Sequence, residues 1–150
     1  MIRVRVLRDA HIEYVPDLAR ILGDATRKAY TFMAWDHTDS GFLDFVGGMF
    51  TTWDSVRLAE IEGRPVGFSC VDGDVVDQLF FASDHQGQGV GALLQNDLKH
   101  QRPEGFGLFT FQANRAARRF YEKQGLIAVA FGVSEDENEP DVRYEWKLDA

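Results

Sequence analysis

The chain has 150 residues, 45% of them apolar and 27% charged, the make-up of one globular domain able to bury a core without disulfides or a structural metal. Its formal net charge of −8 argues against non-specific nucleic-acid binding, which needs a basic face, and its single cysteine, Cys70, excludes an internal disulfide and a cysteine-built zinc site. No stretch reaches the roughly 20 apolar residues that span a membrane, and the first residues lack the apolar run of a signal peptide. The expectation is a soluble, cytoplasmic protein with residues 1–150 as a single domain, without metal, nucleic-acid partner or membrane attachment.

In chain order, Ile2 to Leu7 alternates apolar and basic residues as a first strand. Asp9 is placed to cap the following helix, whose stripe is Val15, Leu18, Ile21 and Leu22. Residues 30–40 read as a loop or broken helix. A second helix follows near 40–52, with Phe42, Phe45, Val46, Met49 and Phe50 at helical spacing. Strands at about 55–61 and 66–72 are joined by the turn Glu62-Gly63-Arg64-Pro65, and Asp72-Gly73 leads into a strand at about 75–82. That strand ends in a nearly continuous apolar run, which predicts a central position. A helix at about 89–101 shows Val90, Leu93, Leu94 and Leu98 on one face, and Phe106 to Phe111 is a further strand. Asn114 to Gln124 is a helix with Ala116, Ala117, Phe120 and Tyr121 facing inward, and strands at 127–133 and 142–148 close the chain. The order predicts an α+β fold, an α/β sandwich around a mixed sheet with parallel pairing in its central β-α-β-α part.

Gln86-Gly87-Gln88-Gly89-Val90-Gly91 lies between a buried strand and a helix. There the first helical amides have no intrahelical acceptor, and the helix dipole adds partial positive charge. A pyrophosphate can be held by such a backbone alone, and the glycines remove side chains that would block it. A plain glycine-rich turn is the alternative. The step differs from the dinucleotide Gly-x-Gly-x-x-Gly pattern, and no Gly-Lys-Ser/Thr follows as in a P-loop. Charge supports an anionic ligand here: from Asp84 to Gly125 basic residues outnumber acidic ones, six to four, in a chain that is otherwise strongly acidic.

Leu79 to Leu94 resembles the acetyl-CoA loop of the GNAT superfamily of N-acetyltransferases, whose Gln/Arg-x-x-Gly-x-Gly/Ala signature is met by Gln86, Gly89 and Gly91. Asn114 to Leu126 resembles the family's Asn-x-x-Ala-x-x-Phe-Tyr-x-Lys-x-Gly-Phe helix. The segments Phe109-Thr110-Phe111-Gln112-x-Asn114 and Glu139 to Trp146 are similar to those of an uncharacterised bacterial subgroup. The sequence departs from the family at Ser83, where Pro is common, and at Gln88, where a cation is common. The resemblance covers the whole chain and implies the GNAT acyl-CoA N-acyltransferase fold, a mixed sheet of six to seven strands flanked by about four helices.

It implies an acetyl-CoA-dependent N-acetyltransferase acting on a primary amine of a small molecule, amino acid or peptide, in a ternary complex. The alternative is a weakly active or inactive acyl-CoA-binding sensor of the same fold. The pyrophosphate would meet the backbone of Gln86, Gly87, Gln88, Gly89, Val90, Gly91 and Ala92. The pantetheine arm would run along Leu79, Phe80 and Phe81 in a V-shaped slot, with Asn114 bonded to it. Asn114 also suits a helix N-cap. Arg115, Arg118 and Arg119 are placed near the nucleotide phosphates or on a solvated face. Tyr121 is the expected general acid for the departing thiolate, with a core aromatic as the alternative. Asp77 is the carboxylate offered as base, its alternation with Leu79 and Phe81 aiming all three at one face. His37, Asp36, Glu60 or water are its rivals. Cys70 alternates with Val66 and Phe68 and reads as core. The acceptor site is expected among residues 30–50 and 134–141, whose acids (Asp36, Asp39 and Asp44 in the first; five between Glu135 and Asp141 in the second) would draw an amine or simply be solvated. Trp35 and Trp53 are offered as pocket walls or core. A homodimer is left open.

Overall fold

The computed structural model describes residues 5–29, 38–81, 89–135 and 137–147. Strand β1 (Arg5–Asp9) leads through a 3-10 turn (Ile12–Tyr14) into α1 (Val15–Ala29) and, further on, α2 (Asp39–Met49). Then come β2 (Ser55–Ile61), β3 (Arg64–Asp72), β4 (Val75–Phe81), α3 (Val90–Gln101), β5 (Phe106–Phe111), α4 (Arg115–Lys123), β6 (Ile127–Val133) and β7 (Pro140–Trp146). The strands form a seven-stranded sheet in the order β1-β2-β3-β4-β5-β7-β6. Among the described residues only the β4–β5 pair is parallel. The architecture is the expected α/β sandwich on a mixed sheet, with β4 at its centre.

Helices cover both faces because strand side chains alternate and each helix carries one apolar stripe. Leu18, Ile21, Phe42 and Val46 of α1 and α2 pack on Leu58, Phe68 and Cys70. On the opposite face, Val90 and Leu94 of α3 meet Ala59 and Val66. Leu98 and Tyr121 of α3 and α4 meet Val76, Leu108, Val142 and Tyr144 there. Each fully buried large apolar side chain contributes about 1.5–3 kcal/mol relative to exposure.

Several local expectations change. Asp9 caps no helix: it belongs to β1 and pairs with Arg57 Nη1 at 2.9 Å. Thr38, inside the presumed loop, is the N-cap of α2, its Oγ1 accepting from Gly41 N at 3.1 Å. Residues 30–37 lie outside the described residues. Phe45 and Ala116 are exposed, because the buried stripe of α2 is narrowed to Phe42 and Val46 and that of α4 to Tyr121.

Two features of β4 set up the site. Cys70 pairs with Gln78 while Val71 pairs with Val76, so Asp77 is the extra residue of a bulge. The β4–β5 ladder consists of the single pair Val75↔Gly107, with Gly107 N donating to Asp74 O at 2.9 Å. Beyond it the strands part. This opening explains why the apolar end of β4, though central, is only half-buried.

Candidate active site

The parting of β4 and β5 opens a cavity of about 900 Å³ that reaches both sides of the sheet. Ala25 and Lys28 of α1 line it from one side. Gly89 to Ala92 at the start of α3, and Asn114, Arg115, Phe120, Tyr121 and Lys123 at α4, line it from the other. Between them run Val76 to Phe81 on β4 and Leu108 to Thr110 on β5. The structure thus brings Leu79, Phe80, Phe81, Gly89, Val90, Gly91, Ala92, Asn114, Tyr121 and Asp77 around one space. Gln86, Gly87 and Gln88, like Asp36, His37 and Trp35, fall outside the described residues.

Gly89 is the N-cap of α3 at φ 81°, a left-handed conformation that costs a residue with a Cβ and costs glycine little. As glycine, it caps the helix with no side chain, and the first turn, which lines the cavity, carries no acid, so no described side chain competes for its opening amides. Gly91 is needed for space: a Cβ there would lie 3.0 Å from Phe120 Cε1 and Cζ and 3.1 Å from Phe81 Cε1. Phe81 and Phe120 in turn meet edge to face at 6.1 Å. Among the described lining residues Lys28, Arg115 and Lys123 are cationic and Asp77 is the one acid, a positive surface in an acidic chain.

Asn114 caps α4, its Oδ1 accepting from Ala117 N at 3.1 Å, while it also lines the cavity. Tyr121 is buried, its ring 5.6 Å from Phe120 and 5.7 Å from Tyr144, and it too lines the cavity. Asn114 is therefore the N-cap and Tyr121 a core aromatic, and both border the cavity. Of the three helix arginines, Arg115 lines the cavity and Arg119 is exposed. Arg118 is engaged elsewhere: its Nε donates to Tyr144 Oη at 3.1 Å and its guanidinium lies 5.7 Å over Phe131. Tyr144 Oη donates to Glu122 Oε2 at 2.6 Å. Burial, then this bond to Glu122, raise Tyr144 above the ordinary phenol range.

Asp77 does not share a face with Leu79 and Phe81. Those two face α3, whereas Asp77 Oδ2 accepts from Trp53 Nε1 at 2.7 Å on the α1/α2 side. The bulge is the reason: one added residue breaks the period of two. Trp53 therefore packs in the core and fixes this carboxylate. Glu60 is 6% exposed, ion-paired with Arg8, and absent from the cavity wall. Cys70 is fully buried, and burial, with the charge of Asp77 adding to it, pushes its thiol far up, which suits a core residue. Ser134, Glu137 and Asp141 of the expected acceptor loop line a second cavity of about 150 Å³ with Phe109, Thr110 and Phe111. The contribution of α1 through Lys28 was not anticipated; the only trace in the sequence is the basic pair Arg27-Lys28 ending the helix stripe.

A cavity running through a mixed sheet where its two parallel strands part is the architecture of the acyl-CoA N-acyltransferase fold. Solved structures agree: apo-form YjaB from Escherichia coli superposes with TM-score 0.81 at 23% identity, over 95% of this chain and 97% of that one. The yncA protein of Salmonella typhimurium, solved with its cofactor acetyl-CoA, gives 0.69 at 17% identity, over 96% and 94%. The acetyltransferase (GNAT) domain profile matches residues 52–125, from the turn before β2 to just past α4. A probable N-acetyltransferase from Mycobacterium tuberculosis is 32% identical over 78 residues, which make up 47% of this chain. The match spans 45% of that protein, less than half its length.

Proposed function

We propose that the protein is an acetyl-CoA-dependent N-acetyltransferase that moves an acetyl group to a primary amine by direct attack in a ternary complex. The observation that carries this is the through-sheet cavity, on which the uncapped amides of α3, Asn114 and Tyr121 converge. The site fits the donor. Amides of Val90, Gly91 and Ala92 suit a pyrophosphate, Lys28, Arg115 and Lys123 suit further phosphate charge, and the parted edge of β4 at Leu79 to Phe81 offers main-chain groups to a pantetheine arm.

The amine nitrogen attacks the thioester carbonyl carbon, and its proton passes to Asp77 or to water. As the tetrahedral adduct collapses, the carbon–sulfur bond breaks and the Tyr121 hydroxyl gives its proton to the departing sulfur, releasing a thiol. A backbone N–H on β4 polarises the carbonyl oxygen. Two measurements test this. Acetyl-CoA at a hundredfold excess over its Kd stabilises the fold by about 2.7 kcal/mol, and absence of any shift in Tm would remove the reading. Thiol release across an amine panel falls by about 10² or more in kcat for Tyr121→Phe, with acetyl-CoA affinity kept. Full turnover of that variant at every pH would remove Tyr121 as the acid. Stabilisation with no turnover on any amine would mark a sensor.

A further inference from the structure

The face of the sheet that carries Asp77 also carries an arginine outside both recognised motifs. Arg143 on β7 pairs with Phe109 on β5, and its guanidinium lies 5.4 Å over that ring. It also lies across Gly107, where a Cβ would come within 2.8 Å of Arg143 Cζ, so a side chain there would push the guanidinium from this position. Gly107 is the β5 half of the single β4–β5 pair. The guanidinium therefore lies over Gly107 at the closed end of the slot, beside the cavity wall to which Phe109 belongs. Asp77, two residues past Val75, flanks the same apex from the β4 arm and faces the same side. Phe109 lines the cavity with it.

Arg143 Nε donates to Glu145 Oε2 at 3.2 Å. Its two terminal nitrogens have no acceptor among the described residues, and the side chain keeps 27% of its exposure. Held flat by an aromatic ring on one face and oriented by one carboxylate at Nε, the guanidinium presents its outer edge as a two-pronged donor, the geometry that matches a carboxylate. The geometry points to Arg143 as the anchor for a carboxylate on the acceptor. The substrates are then amines that also bear a carboxylate, amino acids foremost, with the ammonium end drawn to Asp77. This rests on the acetyltransferase reading and narrows it.

The test is a set of matched pairs in the thiol-release assay: phenylalanine against phenethylamine, tyrosine against tyramine, arginine against agmatine. For at least one pair the wild-type protein prefers the carboxylated member by tenfold or more in kcat/KM. Arg143→Gln abolishes that preference through the acceptor's KM, and Arg143→Lys, which keeps the charge but loses the fork, restores only part of it. Equal or better use of the decarboxylated amines, turnover of no carboxylated member, or a preference that survives in Arg143→Gln would each overturn the inference. Acetyl-CoA stabilisation, measured on the same samples, shows separately whether the acetyltransferase reading stands.

Discussion

Asp77 occupies the one position where β4 gains a residue on β3, and that insertion turns its carboxylate to Trp53 instead of α3. A period-two reading assigns the wrong face at a bulge, because nothing in Val75-Val76-Asp77-Gln78 announces an unpaired residue. Cys70, read as core from its alternation with Val66 and Phe68, is buried completely beside Phe68, while Val66, left out of the β2–β3 register at a bulge, packs on the opposite face. Burial raises its thiol from the ordinary value of 9.0, so the folded state holds the proton more tightly than the unfolded chain. The sign follows. This contribution to stability is fully present below about pH 9 and is lost as pH rises from there toward the folded value. The urea midpoint should fall above about pH 9, and Cys70→Ala should flatten that fall relative to wild type, whatever its cost at neutral pH. An unchanged pH slope in Cys70→Ala would show that the thiol stays protonated or becomes exposed in both states.

At the level of elements, α3 and α4 were legible because each has an amphipathic stripe and a recognisable start. The glycine turn and Asn114 each mark a helix N-terminus by a local rule that needs no tertiary information. What the sequence could not show is that the two starts border one cavity. Gly91 is the link: it lets Phe120 of α4 and Phe81 of β4 close over the first turn of α3. Gly91→Val should cost about 1–3 kcal/mol of stability by overpacking and raise the Kd for acetyl-CoA at least tenfold, measured by calorimetry on protein whose fold is checked by circular dichroism. Retained affinity would mean that the rings move aside without disturbing the amides. The contribution of α1 was invisible for a related reason: Lys28 enters the wall through the crossing of α1 over the parted strands, a distance of some fifty residues in sequence from β4.

For the molecule as a whole, charge is sorted by place. The chain carries −8, yet the cavity wall shows three cations and one carboxylate among its described residues. On the proposed function, a polyanionic donor would be repelled at long range and held at short range. Raising ionic strength from about 0.05 to 0.5 M shortens the Debye length to a few ångströms. The Kd for coenzyme A should then rise several-fold as contacts to Lys28, Arg115 and Lys123 weaken, with a shallower dependence in Lys28→Ala. A flat salt response would leave the backbone amides as the whole of the phosphate site.

Sequence by itself determined which described segments form strands and helices, and it carries the family resemblance, because hydrophobic period, helix caps and a glycine turn are properties of neighbours along the chain. Tertiary structure decided the bulge that re-aims Asp77, the single β4–β5 pair that opens the slot, the room above Gly107 for Arg143 and the entry of Lys28. These depend on register and on crossings between distant segments, which no local pattern encodes. On the proposed function, the glycine-rich segment 86–91 bears on the donor and the residues at the apex of the slot bear on the acceptor.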